Sequence, residues 1–167
     1  MSAKYDETYQ LTHDIDWFCR IGNTPMHFAS NGGILPDKVN DREINSSIQH
    51  KVALMEEVLP DSEQIVINQK YVIERLGEEA GQEAFERYLE SFVAMARKGF
   101  YSFDRMLEGE MYMWIAKPAH DVAVPIDELP SYEANVCGCY AYGKEVIHLH
   151  CLNMHQEALF SENEEQS

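Results

Sequence analysis

Basic residues are scarce in this chain: 13 lysines and arginines stand against 29 aspartates and glutamates, giving a formal net charge of −16 over 167 residues. The deficit is global, with 9 acids and 5 bases in residues 1–60, 11 and 6 in 61–110, and 9 and 2 in 111–167. A field of that sign repels nucleic-acid phosphates and anionic lipid headgroups, and it attracts cations and basic protein surfaces. Long apolar runs are missing too. No window approaches the roughly 18 residues of a membrane span, and the start MSAKYDETYQ lacks the basic-then-apolar pattern of an export signal. Cysteine is sparse: Cys19, Cys137, Cys139 and Cys151 are too few and too unevenly placed for a secreted disulfide framework, so reduced thiols in a cytoplasm are expected. The chain contains no G-x-x-x-x-G-K-[ST], G-x-G-x-x-G, G-x-S-x-G, H-E-x-x-H or EF-hand pattern, and Asn31-Gly32-Gly33 reads as a plain glycine turn.

What is present suffices for a core. The chain is 45% hydrophobic and 11% aromatic, too apolar for a disordered segment, and its length suits one domain. Residues 1–160 read as a single α+β domain, and 161–167, SENEEQS, as a flexible acidic tail. From Tyr9 to Ile21 apolar and polar residues alternate, predicting a half-buried strand. Gly22-Asn23 then makes a two-residue hairpin turn that sets Ile21 opposite Thr24, Cys19 opposite Met26 and Trp17 opposite Phe28. Pro25 argues that the second strand lies at an edge or starts late.

Asn40 with Glu43 has the form of a helix start, and Ile44, Ile48, Val52, Met55 and Leu59 continue a helical stripe up to Pro60. Residues 64–77 combine the β-branched run Ile65-Val66-Ile67 with a short helix over 69–76 framed by Asn68 and Gly77. The clearest helix runs from Gln82 to Lys98, with Phe85, Tyr88, Leu89, Phe92, Val93 and Ala96 on one face and Gly99 beyond its end. Glu110–Lys117, apolar on both faces, predicts a central strand. The expected architecture is a largely antiparallel sheet of about five strands with two or three helices packed on one face.

Three cysteines and two histidines fall in CGCYAYGKEVIHLHC, residues 137–151, which the pattern makes a β-hairpin. A two-residue turn at Tyr142-Gly143 or Gly143-Lys144 places Cys137, Cys139, His148 and His150 on one face, and Tyr140, Tyr142, Ile147, Leu149 and Cys151 on the apolar face. A three-residue loop would separate the cysteines from the histidines. Two sulfurs and two imidazoles suit zinc, but strand residues i and i+2 stand about 6.6 Å apart, whereas thiolates sharing one zinc sit about 3.8 Å apart. The expected reading is an ordinary hairpin, its cysteines small β-compatible side chains and its histidines paired with polar neighbours; the zinc alternative is an open site using Cys137 or Cys139 with His148 and His150, not a closed structural one. A Cys/His nucleophile would need a positive environment that this acidic chain, with Lys144 its nearest base, does not offer.

His13-Asp14-Ile15-Asp16 holds an Asp-x-Asp that can meet a divalent cation from one strand face, with His27 on the same face opposite Phe18. Eight methionines and many aromatics, dense at 100–103 and 111–114, imply that some reach the surface, where they favour protein contacts. Two functions follow. One is a small acidic binding module, such as an inhibitor, immunity-type protein or adaptor, that docks on a basic protein partner. The other is a small zinc protein or metal-dependent hydrolase built on the hairpin face. The first is preferred because its features, the global charge and the aromatic excess, are distributed and do not depend on one loop length.

Overall fold

The computed structural model describes residues 3–107 and 110–133, together with the backbone of 146–148. Residues 9–15 form no strand. Asp6 instead caps a short helix, α1 (Glu7–Thr12), its carboxylate accepting from the Tyr9 amide at 2.7 Å. The apparent alternation hid a spacing of four: the rings of Tyr5, Tyr9 and His13 stack in a column with centroids 5.5 and 3.8 Å apart, the neighbourhood of a helical face.

Strands β1 (Asp16–Ile21) and β2 (Thr24–Ala29) then pair across Gly22-Asn23 in the predicted register, Trp17 opposite Phe28, Cys19 opposite Met26 and Ile21 opposite Thr24. Gly22 takes φ 61, which a side chain would resist. Despite Pro25, β2 is not an edge strand. Its second ladder begins only at Met26, so the missing N–H falls before that ladder starts.

Helix α2 (Arg42–Leu54) is capped by Asp41, which accepts from the Ile44 amide at 3.0 Å. Asn40, the expected cap, ties down the N-terminal segment by accepting from the Tyr5 amide at 2.8 Å. The stripe also shifts, since Ile48 and Val52 are buried but Ile44 is 47% exposed. Its place inside is taken by Asn45, whose amide donates to the Tyr5 hydroxyl and to the Asp16 carbonyl. The helix ends well before Pro60.

Both halves of 64–77 form: β3 (Ile65–Ile67), then α3 (Gln69–Leu76) with Asn68 as its cap. Helix α4 (Gln82–Arg97) buries Leu89, Phe92 and Ala96, and Gly99 follows at φ 107. The remaining strands are β4 (Tyr101–Arg105), β5 (Met111–Pro118), β6 (Ser131–Tyr132) and β7 (Val146–His148).

The α+β class is as expected, but the sheet is mixed, with seven strands and four helices among the described residues. Its order is β3-β5-β4-β2-β1-β6, and β7 shares the edge of β5 with β3. The pairs β2–β4 and β1–β6 are parallel. The first follows from topology: after β2 the chain runs through α2, α3 and α4 before β4 returns beside it, and such a crossover restores the strand's direction. On β5, Ile115 is an extra residue between the pairs Ser102–Ala116 and Phe103–Trp114. Asn68 holds this bulge, its amide donating to the Ile115 carbonyl and its side chain to the Trp114 carbonyl, both at 2.9 Å.

One sheet face packs Phe18, Ala29, Ile115 and Ala116 against α2, α3 and α4. The other carries Trp17, Cys19, Met26, Phe28, Phe103 and Tyr112, with Leu35, Val39 and Tyr132 added from outside the central strands. Phe100, Phe103 and Tyr112 are wholly buried, while Tyr101, Met111, Met113 and Trp114 are half-buried, so the dense stretches 100–103 and 111–114 build the core and also reach the surface in part. No helix among the described residues is long and apolar enough to cross a membrane. Tyr132 pairs with β1 and 146–148 with β5; the rest of the predicted hairpin, its turn included, lies outside the described residues, as does the 161–167 tail.

Candidate functional site

Of the proposed zinc ligands, Cys137, Cys139 and His150 lie outside the described residues, and His148 is placed only as backbone, opposite Met111. Among the described residues no group of three His, Cys, Asp or Glu is arranged to hold a metal ion. The Asp-x-Asp splits: the Asp14 carboxylate accepts from the Asn31 amide at 2.9 Å, while Asp16 meets His27.

That meeting is part of a three-residue relay. His27 on β2 is 1% exposed, with Phe18 and Phe92 against its ring. Its Nε2 lies 2.8 Å from Asp16 Oδ1 and its Nδ1 2.6 Å from Ser102 Oγ. An ionised carboxylate only accepts, so Nε2 carries a proton; in a neutral ring Nδ1 then accepts from the Ser102 hydroxyl. The composition is that of a Ser-His-Asp triad, but Ser102 is completely buried and no substrate carbonyl can reach it. The exposed end of the relay is the carboxylate, half open to solvent at 51%. What the arrangement does chemically is aim a fixed negative charge outward.

Asp16 faces a cleft of about 480 Å³. Arg42, Ser46, Gln49 and Ala53, at intervals of about one turn along α2, form one wall. Tyr5, Tyr9 and Asp14 form another, and Phe18, Val52 and Met95 the apolar base. The Asp16 carbonyl accepts from Asn45 Nδ2 at 3.0 Å and Gln49 Nε2 at 2.7 Å, which locks the backbone under the carboxylate.

A second feature lies along α4. A groove of about 720 Å³ has Ile67, Leu89, Val93 and Ala94 in its floor and Glu57, Glu83, Glu86 and Glu90 on its rim. Two bases share the rim: Arg87 and Glu83 pair at 2.8 Å and offset each other, and Arg97 donates to the Leu59 and Pro60 carbonyls, which leaves Glu57, Glu86 and Glu90 in excess. The groove is therefore apolar inside and acidic at its lip.

Between α3, α4 and the sheet sits a buried ionic network. Arg75 Nη2 lies 3.2 Å from Asp104 Oδ2, Nη1 donates to Tyr71 Oη and the Arg105 carbonyl, and Tyr88 Oη donates to Asp104 at 2.5 Å. Burial pushes the Asp104 carboxyl above its usual range, opposed by the Tyr88 hydrogen bond and by Arg75. Burial and Asp104 together push the Tyr88 phenol up. With both Arg75 and Asp104 shut away from solvent, the network is structural.

Sequence reasoning brought Asp16 and His27 to one face but missed Ser102, Arg42, Arg75 and Asp104. The signal for Ser102 and Asp104 was the alternation Tyr-Ser-Phe-Asp-Arg at 101–105, whose polar residues share a strand face. Compared with known proteins, the chain matches no family model, no curated protein and no solved structure.

Proposed function

We propose that this chain is a small acidic protein-binding module that docks on a basic protein partner, as an inhibitor, an immunity-type protein or an adaptor does. The observation that carries the reading is the α4 groove, whose apolar floor lies beneath four glutamates. A partner segment with an apolar ridge flanked by lysines or arginines would bury the floor at about 25 cal/mol per Å² of apolar surface. The rim would select the sign of the partner and speed its approach, an effect that salt screens. The global charge of −16 acts in the same sense. The sparse cysteines accord with a reducing cytoplasm as its compartment.

The test is capture at low salt, followed by association kinetics with the captured protein after purification. The wild-type association rate is expected to fall at least tenfold between about 50 and 500 mM salt. The variant Glu83→Lys/Glu86→Lys/Glu90→Lys changes only exposed side chains of α4 and should fold normally. It is expected to associate at least tenfold more slowly. No captured protein at low salt, or a rate that neither salt nor the triple variant changes, rejects the reading.

A further inference from the structure

The geometry points to a second, independent binding site: the cleft at the start of β1 takes a small zwitterion of the α-amino-acid class with an apolar side chain. Three properties of the cleft define this chemistry. The first is a preorganised carboxylate. Asp16 is held through its side chain by His27 and through its carbonyl by Asn45 and Gln49, yet it remains half exposed. The buried His27 ring packs between Phe18 and Phe92, and its Nε2 fixes the direction of that carboxylate. A fixed carboxylate facing a cleft is a receptor for an ammonium group.

The second property is charge of the opposite sign in the same cleft. Arg42, the first residue of α2, lies with its guanidinium carbon 5.9 Å from the centre of the Tyr5 ring and makes no ion pair among the described residues. At that distance the ring attracts the exposed guanidinium without fixing its plane, and the N–H fork stays open to a carboxylate. The third is an uncharged apolar stretch of the lining, supplied at its surface by Met95 and Ala53 over the buried Phe18 and Val52. At about 480 Å³ the cleft falls in the size range that encloses small organic ligands. A ligand with one ammonium, one carboxylate and an apolar body meets all three. A simple cation would leave Arg42 unused, and a simple anion would face Asp14 and Asp16.

The experiment is calorimetric titration of the purified full chain with L-phenylalanine and two analogues that each lack one charge, 2-phenylethylamine and 3-phenylpropionate. L-Phenylalanine is expected to bind saturably below about 1 mM, at least tenfold more tightly than either analogue. Asp16→Asn keeps an acceptor for the His27 Nε2–H, so the fold should survive while the charge is lost. It is expected to weaken L-phenylalanine at least tenfold without weakening 3-phenylpropionate. Arg42→Met is expected to weaken L-phenylalanine at least tenfold and leave 2-phenylethylamine unchanged. Thermal unfolding of both variants within a few degrees of wild type certifies that the loss is local. No saturable binding of L-phenylalanine, an amine that binds as tightly as the amino acid, or full affinity in a folded Asp16→Asn variant each overturns the assignment.

Discussion

Replacing Arg75 by alanine is expected to lower the unfolding free energy by about 3–5 kcal/mol, the range for removing one partner of a buried ion pair. The side chains of Arg75 and Asp104 are only 8% and 6% exposed, so water cannot replace the lost guanidinium. The same change strips a donor from the Tyr71 hydroxyl and the Arg105 carbonyl, and removes the cation over the Tyr88 ring. The sign of the pH dependence follows from Asp104. Its carboxyl is already above its usual range because of burial, and without Arg75 it rises further. A carboxyl raised in the folded state contributes stability that is present below its unfolded pKa and is lost as pH rises through the folded one. The deficit of Arg75→Ala should therefore be largest near neutrality and shrink in acid. Denaturant titrations at neutral and mildly acidic pH read both effects, and a loss under about 1 kcal/mol would contradict the network. Substituting the whole unit, Arg75→Met with Asp104→Leu, Tyr88→Phe and Tyr71→Phe, leaves no orphaned charge or hydroxyl, only the Arg105 carbonyl without its Arg75 donor, and should retain most of the stability.

Alkali should unfold this protein more steeply than its charge alone explains. Among the described residues four protonated groups are shut inside: the Cys19 thiol and the Tyr112 and Tyr132 phenols, at 0%, 0% and 8% exposure, and the Tyr88 phenol of the ionic network. Burial raises all four, Tyr112 to about 12 despite the nearby Trp17 indole and Arg105, with Cys19, Tyr88 and Tyr132 pushed up as well. Neither the Tyr112 nor the Tyr132 hydroxyl has a hydrogen-bond partner among the described residues. Below their ordinary values of 9.0 for the thiol and 10.0 for the phenols, both folded and unfolded chains hold these protons, and stability is flat with pH. Above those values only the unfolded chain releases them. Each group then costs about 1.4 kcal/mol per pH unit, and the four together about 5.5. Against the roughly 5–15 kcal/mol of net stability typical of a domain, that slope ends the native state within about one to three pH units. Unfolding free energies measured from pH 8 upward, with tyrosinate absorbance followed in parallel, should show the sealed phenols ionising only as the chain unfolds. Tyr132→Phe with Cys19→Ala should cut the slope by about half. Exposed tyrosines such as Tyr9 add their own absorbance, so the reading is the difference between wild type and Tyr132→Phe: a difference that appears while the fold is intact would show that Tyr132 is not sealed.

The elements that were legible in the sequence are those whose local signals agree with one another. The β1–β2 register followed from a two-residue glycine turn and matching apolar faces, and α4 from a long stripe with a glycine beyond its end. Misreadings arose where two periods fit the same residues: Tyr9, Leu11 and His13 alternate like a strand, but the Asp6 cap and the Tyr5–Tyr9–His13 column belong to a helix. The parallel pairing of β2 with β4 was illegible because no local residue encodes it; it depends on where the chain returns after three helices. In the candidate cleft, the meeting of Asp16 with His27 was readable from hairpin register alone. Ser102 and Arg42 were not, since a strand and a helix distant in sequence supply them. Counting aromatics foresaw that some reach the surface but not which: tertiary burial encloses Phe100, Phe103 and Tyr112 and leaves Tyr101 and Trp114 half-buried.

The bulge on β5 joins two structural decisions in one residue. Asn68 begins α3 and at the same time occupies the carbonyls of Trp114 and Ile115. Sliding β5 by one position would empty those contacts and uncap the helix together, so a misaligned sheet carries a penalty beyond its own ladder. Strand alignment, ordinarily the error to which a sheet assembled from distant segments is most exposed, is here proofread by a helix.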